Sequence, residues 1–146
     1  MEKYIGTKLI KAEPQIKDGR YGFRVIYKDG YESWSPKEVF EESYRRIDNL
    51  TFGLAIEALK KGYKVARKGW NGKGMFIYLV RGTLVEKDNL RNEAYNHLKD
   101  CESCGDDTGV VTINPHIDMK AADGTVVVGW LASQTDMLAE DYEIVG

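Results

Sequence analysis

The sequence is poor in the groups that most enzymes rely on. It has two cysteines and two histidines in 146 residues. It contains no glycine-rich phosphate loop followed by Lys-Ser/Thr, no G-x-S-x-G elbow and no H-E-x-x-H. No apolar run approaches the roughly 20 residues of a membrane span. The first residues, MEKYIGTKLIK, lack the apolar core of a signal peptide, so a soluble, cytoplasmic protein without a membrane partner is expected. The net charge is only −2, which argues against bulk attraction to a nucleic acid polymer. A chain of this length buries roughly 68–70% of its unfolded surface and needs no disulfide staples.

What is present is concentrated late in the chain. Between Asn114 and Val145 lie His116, Asp118, Lys120, Trp130, Ser133, Gln134 and Asp136, all able to contact a nucleotide. Many recognition groups without an evident reaction centre suggest a protein that holds something rather than an enzyme. Charge is also segregated. From Leu50 to Arg81 there are seven bases against one acid, Glu57; from Gly82 onward there are four bases and thirteen acids. A basic segment in an otherwise acidic chain can hold a small anion. Lys60 and Lys61 instead read as helix-end cations, where the helix dipole favours positive charge.

The pattern predicts two parts. Residues 1–48 read as a small β-β-β-α domain. Tyr4–Ile10 is strand-like, and Tyr21–Tyr27 and Tyr31–Trp34 flank a Lys28-Asp29-Gly30 hairpin turn. Ser35-Pro36-Lys37-Glu38 has capping-box form and should start a helix with Val39, Phe40, Ser43, Tyr44 and Ile47 on one face. Trp34 reads as a core residue or packing lid. Residues 50–146 read as a second domain. Thr51 caps a helix with Phe52, Ala55, Ile56 and Leu59 on its apolar stripe, and Gly62 ends it. Strands at 63–68 and 75–80 flank the turn Gly69-Trp70-Asn71-Gly72-Lys73-Gly74, whose glycines let backbone N–H groups approach a ligand. Residues 82–110 read as a surface insertion with a short helix around Leu90, Ala94 and Leu98. A strand at 110–113, an Asp123-Gly124 turn into Val126–Val128, a helix capped by Ser133 with Asp136, and a terminal strand at 142–145 complete an α+β fold around an antiparallel sheet.

Several chemistries can be weighed on these residues. Cys101 and Cys104 have C-x-x-C spacing, and His97 with His116 would complete a zinc set, with no ligand to spare. Two reduced thiols in a cytoplasmic loop are the expected state, so no metal or other cofactor is assigned. A Cys–His hydrolase would need an oxyanion hole that the sequence does not announce. Asp118 with Asp123, or Asp136 with Asp141, could bind Mg²⁺, but turn and cap roles explain Asp123 and Asp136. The aromatic and polar set is stronger. A base stacked on Trp70 or Trp130 gains about 1–3 kcal/mol. Asn71 can donate and accept at a base or ribose edge. Arg67, Lys73 and Lys120 can meet phosphate oxygens. Ser133 places a helix N-terminus nearby.

Four blocks carry a resemblance: Thr51–Leu59, Val65–Met75, Pro115–Lys120 and Gly129–Asp141. Together they closely resemble the second type of Thoeris anti-defence protein, a small phage and prophage family, over roughly residues 50–145. Members usually have Trp where this chain has Tyr142. The resemblance implies a sponge that sequesters glycocyclic ADP-ribose, the messenger of a bacterial TIR-domain sensor, without degrading it. Some relatives also hold cyclic oligonucleotide signals, which extends the ligand class to cyclic dinucleotides. It implies homotetramers with pockets between protomers. The N-terminal segment resembles a small domain found in front of this one in phage proteins. On this footing Trp70, Asn71 and Trp130 are expected at the base or ribose. Gly72, Lys73 and Gly74 form the phosphate-facing turn, with Arg67 and Met75 beside it, and His116, Asp118, Met119, Ser133, Gln134 and Asp136 line the rest. A nucleotide-processing enzyme and a protein-binding phage factor are the alternative classes.

Overall fold

The computed structural model describes all residues, Met1–Gly146. The fold is α+β, with antiparallel sheets, a few short helices and an N-terminal β-β-β-α unit. No helix is long and apolar enough to cross a membrane.

The N-terminal unit has strands β1 (Lys11–Lys17), β2 (Arg20–Ile26) and β3 (Glu32–Pro36), then helix α1 (Lys37–Ser43). The Lys28-Asp29-Gly30 hairpin forms as expected. The first strand does not lie at 4–10. Asp18 and Gly19 both adopt positive φ, at 50° and 73°, the geometry of a two-residue hairpin turn, and the register from that turn selects residues 11–17 as the partner of β2. Pro14 is tolerated because β1 is an edge strand. Ser35 does not cap α1, since it is held in β3 opposite Phe23, and the cap position falls to Pro36 without a side-chain hydrogen bond. Val39 and Ile47 are exposed rather than packed. Phe40 stacks on Phe23 at 4.1 Å and Val25 is buried, so α1 covers one face of this sheet. On the other face the Trp34 ring crosses Gly22, where a Cβ would lie 2.5 Å from the indole, and Trp34 is the packing lid its sequence suggests.

Helix α2 (Phe52–Lys60) starts where Thr51 accepts from the Leu54 N–H at 3.3 Å and stops at Gly62, φ 91°. It buries Ala55, Ala58 and Leu59 against a five-stranded sheet. That sheet has the order β10-β4-β5-β8-β9, with β4 (Lys64–Arg67), β5 (Phe76–Val80), β8 (His116–Lys120), β9 (Val126–Val127) and β10 (Tyr142–Val145). Register places Ile144, Val65, Ile77, Met119 and Val127 side by side across it. Because strand side chains alternate, this row faces α2 and the intervening residues face away. Burying side chains such as Leu59, Val65 and Ile77 contributes about 1.5–3 kcal/mol each.

Strand β6 (Thr83–Glu86) and strand β7 (Val110–Ile113) pair with each other outside the main sheet. The charged segment is thus a two-stranded arm reaching to Ile113, carrying a 3-10 turn (Lys87–Asn89) and helix α3 (Asn92–Leu98). Gly82, φ 82°, would bring a Cβ within 2.4 Å of the Ile113 carbonyl, which closes the arm's base tightly. Cys101 and Cys104 are joined as a disulfide, against the expected free thiols. The Cys101 N–H donates to the Leu98 carbonyl at the end of α3 and the next turn brings Cys104 back, so the Cα atoms lie 5.3 Å apart. No three His, Cys, Asp or Glu side chains gather to hold a metal, so the four-ligand zinc set with His97 and His116 is not assembled.

Candidate functional site

The last residue of β4 is Arg67, on the helix-facing side of the sheet. Across the register it lies opposite Tyr142, and helix α4 (Gln134–Leu138) packs beside it. Its Nε donates to Asp141 Oδ1 at 2.8 Å and its Nη1 to Asp136 Oδ1 at 2.7 Å. The guanidinium is also 5.8 Å from the Tyr142 ring. Hydrogen bonding to Asp141 leads the effects that raise Arg67 above its ordinary pKa. The same bond leads in holding the Asp141 carboxyl below the usual carboxylate range.

Asp136 is the hub. Ser133 accepts from the Asp136 N–H at 3.0 Å and Asp136 Oδ2 accepts from the Ser133 N–H at 3.0 Å, the capping box expected from the sequence. Oδ1 takes Arg67 and also the Trp70 indole N–H at 3.1 Å. Burial pushes this carboxyl up, but bonds from Arg67, the Ser133 backbone and Trp70 outweigh it, and its pKa falls to about 2. The Tyr142 hydroxyl donates to the Asp136 carbonyl at 2.6 Å. Tyr142 is fully buried, and desolvation raises its phenol to about 12. Trp70 meets Trp130 edge-on at 5.8 Å and Tyr142 edge-on at 6.4 Å. These residues form a wall whose charged and polar groups are engaged with each other. Asp136 and Asp141 share Arg67 rather than a metal.

The glycine turn leaves this wall. Its first amide, Gly69 N–H, donates to Asp141 Oδ2 at 2.8 Å. A Cβ on Gly72 would lie 2.7 Å from Ala122 and 2.5 Å from Met75 Sδ, so the turn lies flat on the end of β8 and on Met75. Lys120 Nζ donates to the Gly74 carbonyl at 3.1 Å. The N–H groups of Asn71, Gly72, Lys73 and Gly74 have no acceptor within the chain. Asn71 and Lys73 are exposed.

The remaining predicted residues divide. His116, Asp118 and Lys120 alternate with Ile117 and Met119 along β8, a strand not read as such from the sequence. They lie on the face away from α2. His116 is about 13 Å from Lys120 along the strand. Its Nδ1 meets the Asn114 carbonyl at 2.8 Å and its Nε2 faces Asp118 at 3.5 Å. Asp118 is buried and accepts from Gly129 N–H at 3.1 Å, fixing the loop that presents Trp130. Met119 belongs to the core cluster. Gln134 is exposed at the start of α4. The chain therefore gathers Arg67, Trp70, Trp130, Ser133 and Asp136, sets the turn 71–74 beside them, and keeps His116 and Asp118 on the opposite face of the sheet. Sequence reasoning paired Asp141 with Asp136 only for Mg²⁺ and did not connect it, or Tyr142, to Arg67. The available signal was their position in a terminal strand that pairs with the strand carrying Arg67.

Residues 50–145 match the model of the Thoeris anti-defense 2-like domain. The chain is also similar to a Bacillus phage SP01 protein described as Thoeris anti-defense 2, with 35% identity over 103 residues, 66% of this chain and 94% of the relative. The family match begins after the β-β-β-α unit, which lies outside it.

Proposed function

The chain belongs to the Thoeris anti-defense 2-like family, as a phage anti-Thoeris protein, and from that premise we propose that it binds and sequesters a cyclic nucleotide-type messenger, glycocyclic ADP-ribose, without degrading it. The observation that carries this reading is the turn at 71–74. Four successive amides with no internal acceptor, with Lys73 among them, leave donors available for an anion such as a pyrophosphate. Trp70 and Trp130 stand beside it for the adenine or ribose. Asn71 offers an amide to the base edge.

A sponge must take the messenger from its receptor, which calls for near-nanomolar affinity, about −12 kcal/mol. One exposed stack does not supply that. Enclosure between protomers would, and it would also bring the His116 and Asp118 face of one copy toward the turn of another. The free edge of the sheet, β9, exposes Val126, Val127, Val128 and Leu131, an apolar strip suited to a second copy. We assign a homotetramer acting in the cytoplasm of the infected cell.

Calorimetric titration with glycocyclic ADP-ribose, other cyclic ADP-ribose isomers and cyclic dinucleotides tests the proposal. Tight binding of glycocyclic ADP-ribose at one ligand per site is expected. Failure to bind any member of the panel overturns it.

A further inference from the structure

We propose that Asp141, whose carboxylate is engaged by Arg67 and Gly69, is the positioning residue for the glycine turn. The inference rests on the reading of that turn as the anion site, and it adds which group holds the site open.

Three consecutive residues leaving β4 bond to Asp141. Arg67 Nε donates to Oδ1 at 2.8 Å, Lys68 N–H to the backbone carbonyl at 3.2 Å, and Gly69 N–H to Oδ2 at 2.8 Å. A carboxylate with one oxygen on a guanidinium and the other on a backbone amide fixes both the direction and the height at which the chain departs. Gly69 carries independent testimony. A Cβ there would lie 2.7 Å from Asp141 Oδ2 and 3.0 Å from Arg67 Nη2, so a larger residue would push these groups out of place, through space and not through φ. At the far end Lys120 holds the Gly74 carbonyl. Between these two anchors the free amides of Asn71 to Gly74 have no internal partner to shape them. Their placement depends on where the chain enters and leaves.

Asp141 is itself held from behind. Its neighbour Tyr142 exchanges backbone hydrogen bonds with Leu50, at 2.7 and 3.1 Å, and Ile144 N–H donates to the Ile47 carbonyl at 2.9 Å. The segment joining the N-terminal unit to α2 thus pairs along the outer edge of β10. The strand that begins after Asp141 is flanked by chain on both sides, which suits a fixed anchor.

The test compares Asp141→Asn and Gly69→Ala with Lys73→Ala. Residue-resolved amide hydrogen exchange is measured on the unliganded full chain, and affinity for glycocyclic ADP-ribose by calorimetry well below the unfolding temperature. Asp141→Asn and Gly69→Ala are expected to speed exchange about tenfold or more at the bonded amides of residues 68–70, to leave β5 and β8 amides unchanged, and to weaken binding about tenfold. Lys73→Ala should weaken binding without altering exchange. Unchanged exchange at 68–70 in both variants, or a uniform rise across the sheet, overturns the positioning role. If the wild-type chain binds no messenger, the ligand reading fails while the exchange pattern still decides this one.

Discussion

The wall and the turn use the same kinds of polar group in opposite ways. In the wall, Arg67, Asp136, Asp141, Ser133 and the Trp70 indole N–H are bonded to one another. In the turn, four consecutive backbone amides face no internal acceptor. Their difference separates holding from binding. Groups that are partly buried and charged need partners inside the fold, because an unpaired buried charge is costly. Groups left at an exposed turn keep their capacity for a ligand. Arg67 illustrates the point. Sequence alone makes it a phosphate contact, whereas the fold directs its Nε and Nη1 at carboxylates.

The contrast can be broken most severely at the hub. Asp136→Ala leaves Arg67 with a single carboxylate and strips partners from Trp70 and Ser133. A loss of about 3 kcal/mol in unfolding free energy is expected by urea titration. Next is Trp70→Ala, which removes the stacking face and should weaken messenger binding about tenfold or more by calorimetry. Acid sharpens the comparison in a different manner. Asp136 and Asp141 have folded-state pKa values below the ordinary 3.8, with Asp136 at about 2. Their contribution to stability is therefore fully present above the ordinary value and is lost as pH falls through the folded ones. Thermal unfolding temperatures should drop between about pH 4 and pH 2, and Asp136→Asn should flatten that drop. Lys73→Ala should have the smallest effect, a few-fold loss of affinity that shrinks at high salt, with unfolding temperature unchanged.

Much of this was legible beforehand because the signals were local. Thr51 and Gly62 bracket α2, the Ser133 and Asp136 capping box opens α4, and the glycines mark the turn between β4 and β5. What was not legible depends on pairing between distant residues. Residues 11–17 became β1 only through the Asp18-Gly19 register, and β6 exists because β7 lies beside it. The split of His116 from the turn follows from distance along β8, since Lys120, on the same face, reaches the Gly74 carbonyl from the strand's other end. The Cys101–Cys104 bond follows from a helix end that brings a short loop back on itself.

The most direct test is to incubate the purified protein with an equal amount of glycocyclic ADP-ribose, remove free ligand, denature by heat and chromatograph what is released. The account predicts that the messenger is retained by the folded protein and recovered chemically intact. Recovery of a cleaved nucleotide, or no retention at all, would contradict it.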